Sequence, residues 1–592
     1  MIAFGLRLAF FAAFWLVVSA AHAQVSPGGV LLRTLPEDIR RDINTAPDID
    51  NLLGKRKTLS DIEGLKTEIK GFKVKGMTIV GERKAALVLK PFVGRDKSFQ
   101  DILDAASALR RELAERGMFL ADVVVPEQDI TSGTVELLVL EGRLGEVSVE
   151  YAPDVKISHG LVESYLEPLQ PGILMTTRKV ERALFLVNDL RGISASASFK
   201  PGSKPGTADL LVKVIATNTV TGFVDFDLNG SDATGPQRAG ANIEVNNLTG
   251  RGDVFSARVV QSLGFLSDDL NIGSGGSTVV KLPGGDVITH RNLTFARIAE
   301  VIPLGNTAAK GGLSLSYLSY TLGGDNRIVA LTQPEGSAEI VNGFLSYPFV
   351  RSRNLNIIGQ YQVDHRQFYD LQPGREDEKR AWVNQLSLNV DVRDSFLGGG
   401  INYLGLAYIG GNLEIRSPLL LQFDQAGPKT DGHYNKYSLF ANRLQQINDN
   451  WLLAFSASAQ FAQKNLDGSE KIVIAGPTGV RAFPVSQGVG DDGYVGTIEL
   501  RRVLPLKNVP GRVLGAVFYD AGWVKSRHTP AAFAARTNES ELSGAGVGFY
   551  LDIDKWTARA SVAWRIRGEA PPAGGVEPNR IPQVFFQASR SF

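Results

Sequence analysis

The chain has 592 residues, with 63 Lys and Arg against 62 Asp and Glu, a formal net charge of +1 and no cysteine. That length exceeds one ordinary globular core and calls for several units or one large closed sheet. Without Cys there is no disulfide framework and no thiolate chemistry or thiolate metal site; the near-zero charge argues against a strongly basic nucleic-acid binder; and His22, His159, His290, His365, His433 and His528 stand too far apart for a local metal motif such as H-E-x-x-H.

Residues 1–23 read as a secretory leader. Arg7 supplies the positive charge, residues 8–20 (LAFFAAFWLVVSA) the apolar run, and Ala21-His22-Ala23 the small-residue cleavage site. No later stretch reaches the roughly 18 uninterrupted apolar residues of a spanning helix. Any later membrane crossing therefore falls to a closed barrel, which also satisfies every backbone group in lipid. Residues 24–71, with Pro27, Pro36 and Pro47 and the stretches PEDIRRDI and LSDIEGLKTEI, read as a helix or linker.

Residues 72–145 form a first small α+β unit. FKVKGMTIVG alternates as a strand. A helix spans Ser98 to Gly117, with Ser98 and Asp101 in capping positions, Ile102, Ala106, Leu109 and Leu113 on one face, and Gly117 as the stop. Strands ADVVVP and TVELLVLEG follow. Residues 146–216 repeat the order: strand GEVSVEY, helices at 159–168 and 177–190, then strands ISASASF and ADLLVKVIA. In VVVPEQDITSGTVELLVLEGRLGEV, residues Pro126, Gln128, Ile130, Gly133, Val135, Glu141 and Gly142 resemble the closing strands of a polypeptide-transport-associated (POTRA) domain, more narrowly the first such domain of two-partner secretion transporters (TpsB; the ShlB/FhaC/HecB haemolysin secretion/activation family). The second unit, ending PGSKPGTADLLVKV, is similar to that family's second POTRA domain. The resemblance implies periplasmic domains that catch an unfolded polypeptide, by strand addition to an exposed sheet edge. The residues alone also fit two soluble units with protected edges.

Residues 217–592 repeat a period-2 pattern. Leu355 to Val363, Leu386 to Val392, Leu453 to Phe461 and Ala558 to Ile566 each alternate one apolar with one wetter face. The 63 glycines, above the usual ~7 %, suit strands and turns. A soluble sandwich would alternate alike; the leader, the polar faces with Arg, Asp and Gln, and the lack of covering helices favour a lipid-embedded barrel. At about ten residues per spanning strand plus connections, sixteen antiparallel strands fit comfortably and about 12 or 18 also fit; sixteen is what the resemblance implies. The expected fold is thus an all-β transmembrane barrel preceded by two α+β POTRA domains. The last strand, IPQVFFQASRSF, carries Phe586 and terminal Phe592 in phase, similar to the signal read by outer-membrane insertases; Arg590 interrupts that phase.

Residues 476–493, GPTGVRAFPVSQGVGDDG, form a Gly-rich connection longer than most structureless loops. Val480-Arg481-Ala482-Phe483 looks like the family's V-R-G-F/Y motif, at the tip of a loop that folds back into the barrel. In GAVFYDAGWV, Phe518, Asp520 and Gly522 are spaced by two, so one face holds all three and Val517, Tyr519, Ala521 and Trp523 hold the other; periodicity alone puts Asp520 in the lumen. Phe518-x-Asp520-x-Gly522 is similar to the family's barrel-wall motif. An arginine in a partly dry lumen needs a carboxylate, so Arg481 is expected to pair with Asp520 and pin the loop. Ala482 replaces the usual Gly and would strain a tip that needs φ > 0. NNLTGRGD (Asn247, Gly250, Gly252, Asp253) and YPFVRSRNLNI (Pro348, Arg351) look like family barrel segments. No catalytic cluster, metal site or cofactor motif stands out.

The resemblance, spanning about 72–592, implies an outer-membrane transporter that passes an unfolded secreted exoprotein, adhesin or haemolysin-like, and that depends on the barrel-assembly machinery and on outer-membrane lipid. A barrel-assembly factor, a passive porin and a barrel enzyme remain the alternatives.

Overall fold

A computed structural model of the protein describes residues 66–263, 277–282, 285–324, 329, 332–485, 487–506, 511–530, 538–569 and 581–592. The leader and residues 24–65 of the expected helix or linker lie outside them.

In the first unit, strand Thr134–Leu140 lies between Gly71–Lys75, parallel to it, and Asp122–Val124, antiparallel. Helix Phe99–Glu115 begins with the Ser98/Asp101 capping box and buries Ile102, Ala106, Leu109 and Leu113 against this sheet. Gly117, at φ 82°, ends it. Two expectations change. The strand at 72–81 stops at Lys75, and Glu82–Leu89 is a second helix, which buries only Ala85 and Leu89 and so leaves a faint periodic signal. The end of LSDIEGLKTEI is not helical: Thr67–Ile69 is a strand paired with Gly94–Lys97.

The second unit has Thr207–Ala216 central between Arg143–Tyr151 and Ile193–Pro201, under helices His159–Leu166 and Thr177–Asn188. Its helix Thr177–Asn188 faces the near rim of the barrel. Arg351 grips Asp189 through two bonds of 2.7 and 3.0 Å, and its guanidinium lies 4.7 Å from the centre of the Phe185 ring. The backbone N–H groups of Ser158 and Arg191 donate to the carbonyls of Gly250 and Gly252. The turn that accepts them is tied by Gly252 N to Asn247 Oδ1 (2.7 Å) and Thr249 N to Asp253 Oδ1 (3.1 Å). The segments NNLTGRGD and YPFVRSRNLNI are thus joint residues, and Asp253 is fully buried in the turn it ties.

Sixteen antiparallel strands close the barrel, Val220–Asp227 pairing with Gln583–Ser591. No described helix is long and apolar enough to cross a membrane, whereas the outward strand positions are apolar and uncovered: Leu386, Leu388, Leu404, Leu406, Val517 and Tyr519 are all exposed. Aromatic pairs sit among them, Tyr408 with Tyr437 and Tyr494 with Trp523, ring centres 5.5 and 5.8 Å apart, as in barrels in lipid.

The inner face is not wet throughout. Toward the end opposite the α+β units it carries three apolar clusters. Val260, Leu293, Leu318 and Phe368 pack with Ala233 and Leu322 from the connections at that end; Val383, Ile409, Leu413 and Tyr434 pack with Leu466; Val495, Phe518, Val524 and Leu542 pack with Val480 and Phe483. Inward-folded loops cover the wall there, so the inner phase of those strands is buried in protein and apolar side chains are stable on it.

Closure leaves little room at the seam. A Cβ on Gly222 would lie 2.5 Å from the Phe592 ring and 2.4 Å from the Asn242 carbonyl oxygen. Gly222→Val should therefore reduce the heat-modifiable, folded fraction of the barrel on semi-native gels by more than half, with synthesis unchanged.

Candidate functional site: a loop held inside the barrel

The connection after strand Trp451–Ala462 runs from 463 to 491, longer than the stretch the sequence singled out. It turns into the barrel and stiffens itself: Ile472–Val473 pairs with Val489–Gly490, and Val480 N donates to Ile474 O at 2.8 Å. Val480 and Phe483 are fully buried, and Arg481 nearly so.

Arg481 meets the wall through its backbone N–H and all three guanidinium nitrogens. Its Nε donates to Asp520 Oδ2 and its Nη2 to Asp520 Oδ1, both at 2.9 Å, while its backbone N–H donates to Oδ2 at 3.0 Å. Nη1 donates to Glu499 Oε2 at 2.9 Å. Thr497 completes Asp520 (2.8 Å); Arg501 and Tyr550 complete Glu499 at 2.7 and 2.6 Å. Two arginines and two carboxylates form a neutral, satisfied set, the condition under which buried charge is tolerated. The guanidinium lies 3.2 Å from the centre of the Phe518 ring, a close cation–π contact.

Each motif residue has a physical task. Phe518 is the platform, and it lies flat because Gly546 has no Cβ, which would fall 2.5 Å from its Cζ. Gly522 lets Ile474 of the loop approach the wall; an added Cβ would be 3.2 Å from Ile474 Cδ1. Phe483 is clamped by the Arg565 guanidinium at 4.8 Å, while Arg565 Nε donates to the Ala482 carbonyl at 3.2 Å. The strain expected at Ala482 is absent, since this residue does not adopt a left-handed φ. Its methyl fits because residue 544 is Gly: a Cβ there would lie 2.4 Å from the Ala482 Cβ.

The sequence reading missed the second half of the attachment. Nearer the start of the loop, Asp467 pairs with Lys379 (2.9 Å), and Glu470 pairs with Arg366 (2.5 Å) and Lys436 (2.7 Å). Glu499 was also missed. Its inward phase was readable, because Tyr494 and Ile498 face outward, but its place beside Asp520 follows from inter-strand register.

The remaining sequence-derived residues lie elsewhere. In the first unit, Gln128 clamps the strand ends, donating to Pro126 O and Glu136 O and accepting from Glu136 N. Gly133 and Gly142 take φ of 80° and 73°, and buried Glu141 accepts from the Thr78 backbone N–H and hydroxyl. These five hold the unit together. Phe586 packs 6.5 Å from Phe226, and Phe592 exchanges backbone bonds with Gly222 across the seam. Arg590, out of pattern in the last strand, lies over the Trp556 ring at 5.5 Å.

Two family models match this chain. One, described as POTRA domain, ShlB-type, covers residues 67–142. The other, haemolysin secretion/activation protein ShlB/FhaC/HecB, covers residues 206–551, more than half the chain. The chain belongs to the ShlB/FhaC/HecB family. Among curated relatives, the heme/hemopexin transporter protein HuxB of Haemophilus influenzae (strain 86-028NP) is 24% identical over 486 residues, 81% of this chain and 80% of that protein. The outer membrane transporter CdiB of Escherichia coli O6:K15:H31 (strain 536 / UPEC) is 23% identical over 529 residues, 86% of this chain and 84% of that protein. The fold is similar to that of CdiB from Escherichia coli, with TM-score 0.68 at 18% identity, covering 96% of this chain and 99% of the other. CdiB from Acinetobacter baumannii gives 0.58 at 16%, covering 92% and 95%. As a member of this family of two-partner secretion transporters, the protein sits in the outer membrane with its POTRA region in the periplasm. The apolar, loop-filled end of the lumen then faces the outside.

Overpacking at the tip gives a direct check. Gly544→Ala should destabilise the detergent-purified protein by about 1–3 kcal/mol, and Ala482→Gly in the same chain should recover most of it, read as the midpoint of thermal unfolding.

Proposed function

We propose that the chain exports one secreted exoprotein, adhesin or haemolysin-like, as an unfolded polypeptide. The α+β units at 72–145 and 146–216 capture the cargo by strand addition, and the loop at 463–491 occupies the pore between transport cycles. The observation that carries this reading is the four-charge set around Arg481. It holds a long loop inside a barrel by ionic contacts that can break and reform, where a purely structural plug would need only apolar packing. Folding of the emerged chain outside supplies the drive. No residue is given a catalytic role and no cofactor is required. Phe586 and Phe592 serve insertion by the barrel-assembly machinery.

Capture is tested by deleting residues 72–145. The barrel should still insert, while export of the partner falls at least tenfold; undiminished secretion would count decisively against capture. The latch is tested by charge. Asp520→Asn leaves Arg481 with one full partner, and Arg481→Ala leaves two buried carboxylates short of donors, a loss of about 3–5 kcal/mol for a broken buried pair. Both should raise the open probability of the purified channel in planar bilayers. A simple exchange, Arg481→Asp with Asp520→Arg, should not restore the closed state, because it sets a carboxylate beside Glu499. Adding Glu499→Gln should improve the exchange. Full rescue by the exchange alone would show that Glu499 takes no part.

A further inference from the structure

One connection at the outer end is built in a way that the latch does not explain. Between strands Gly400–Ile415 and Gly432–Gln446 the chain forms a helix, Pro418–Ala426. Its Leu420 and Leu421 turn into the lumen and pack against the apolar cluster of Val383, Ile409 and Leu413. One foot of this segment rests on the neighbouring strand, where Ser417 Oγ accepts from Glu378 N at 2.8 Å and donates to Glu376 O at 3.1 Å. The other end is closed by Asp424, which is 3% exposed and accepts from Thr430 N (2.9 Å), Thr430 Oγ1 (2.7 Å) and Asp431 N (3.0 Å). The segment is therefore a compact body with its own internal bonding, seated on the lumen by apolar side chains.

Its polar contacts run to the latch loop. Lys464 Nζ donates to Asp431 O at 2.7 Å and to Thr430 O at 3.3 Å. Asn465 Nδ2 donates to Pro428 O at 2.6 Å. The next residue, Leu466, shares the apolar cluster with Leu420 and Leu421, and Asp467 then binds Lys379 on the wall. Asn465 has a second pair of bonds in the opposite direction: Nδ2 to Thr529 O at 3.0 Å, and Oδ1 from Thr529 N at 2.7 Å. Thr529 belongs to a different connection, one held to the wall where the His528 ring meets Asp492, the first residue of its strand, at 2.8 Å, while the His528 backbone N–H donates to Asp491 at the end of the loop at 2.9 Å.

We propose that segment 416–431 is an exit lid that travels with the loop at 463–491, and that Asn465 is the clasp between this moving body and the fixed connection at 526–530. The physical reason is the direction of the bonds. Lid and loop share one apolar cluster and are joined through backbone carbonyls, so neither can leave the lumen without exposing the other's apolar side chains. Toward the 526–530 connection the loop holds on through exchangeable amide bonds of Asn465 and through Lys471, whose Nζ donates to Ser526 O at 2.7 Å. The exit opens when the Thr529 side and the loop's ion pairs to the wall, Asp467 with Lys379, Glu470 with Arg366 and Lys436, and Arg481 with Asp520 and Glu499, let go together, and the lid swings out with the loop. This deepens the transport reading, because it names what closes the outer end, but the closed state it describes can be read without any cargo.

The chain has no cysteine, so engineered pairs are unambiguous. In the full-length protein, Asn465→Cys with Thr529→Cys should lock the exit when oxidised. Bilayer openings and partner export should both fall at least tenfold and return on reduction. Asn465→Cys with Pro428→Cys ties two parts of the same body, so oxidation should change openings less than twofold. Cross-linking is followed by mobility on non-reducing gels. Normal opening of the cross-linked 465–529 protein, or a block as deep from the 465–428 bond, overturns the proposal. If either pair fails to form, Leu420→Ser with Leu421→Ser provides the second arm: loss of the apolar seat should raise open probability at least fivefold, and an unchanged closed channel overturns the lid. If openings respond as stated while no secreted protein depends on the chain, the lid stands and the export reading fails.

Discussion

A guanidinium inside a membrane-embedded wall must be paired, and that requirement organises the outer half of this protein. Arg481 can be buried only because two neighbouring strands present Asp520 and Glu499 at bonding distance, and because Thr497, Arg501 and Tyr550 satisfy what those carboxylates have left. Once that set is formed the position of the tip is determined. The glycines at 522, 544 and 546 follow from it, since each is a place where loop or aromatic ring touches the wall too closely for a Cβ. The interaction is strong in place and costs little to exchange for water if the lumen fills, which suits an element that must stay put and then move.

The barrel itself solves two problems with the same strands. Outside, apolar side chains meet lipid. Inside, the wall bears buried ion pairs such as Asp225 with Arg258 and Asp227 with Arg238, and the outer end is in addition packed with apolar residues under infolded loops. A pore this wide would leak if its inner face were wet along its full height. Packing the outer end like a protein core closes it, at the expense of having to unpack that core when a chain passes. At the near rim the solution differs again: the second α+β unit is fixed by Arg351 and Asp189 and by turns that offer their carbonyls to it.

Much of this was legible in the residues. The alternation in Leu386 to Val392 and in Leu453 to Phe461 gave the outward face correctly, because a strand's period is local and lipid demands apolar side chains at every second position. The Ser98 cap and the Gly117 stop gave the long helix for the same reason. The failures are of another kind. Helix Glu82–Leu89 has too few buried positions to show a period. The inner apolar clusters look inconsistent with a water-filled lumen until the loops that cover them are in place. Ala482 looked strained because the family's glycine suggested an unusual backbone, whereas the backbone is ordinary and the adjustment is made at Gly544, sixty-two residues away.

By itself, then, the sequence determined that a long run of two-faced strands follows two small mixed units and that Asp520 lies on the face opposite the apolar one; it favoured a barrel over a soluble sandwich without deciding between them. These depend on interactions within a few residues, which periodicity records. The tertiary structure decided that Glu499 stands beside Asp520, that Asp467 and Glu470 reach Lys379, Arg366 and Lys436, and that Asn465 lies between two separate connections. Those depend on strand register and on the path of a loop through the lumen. Both are set by which distant side chains satisfy one another when the sheet closes, and no local pattern encodes that.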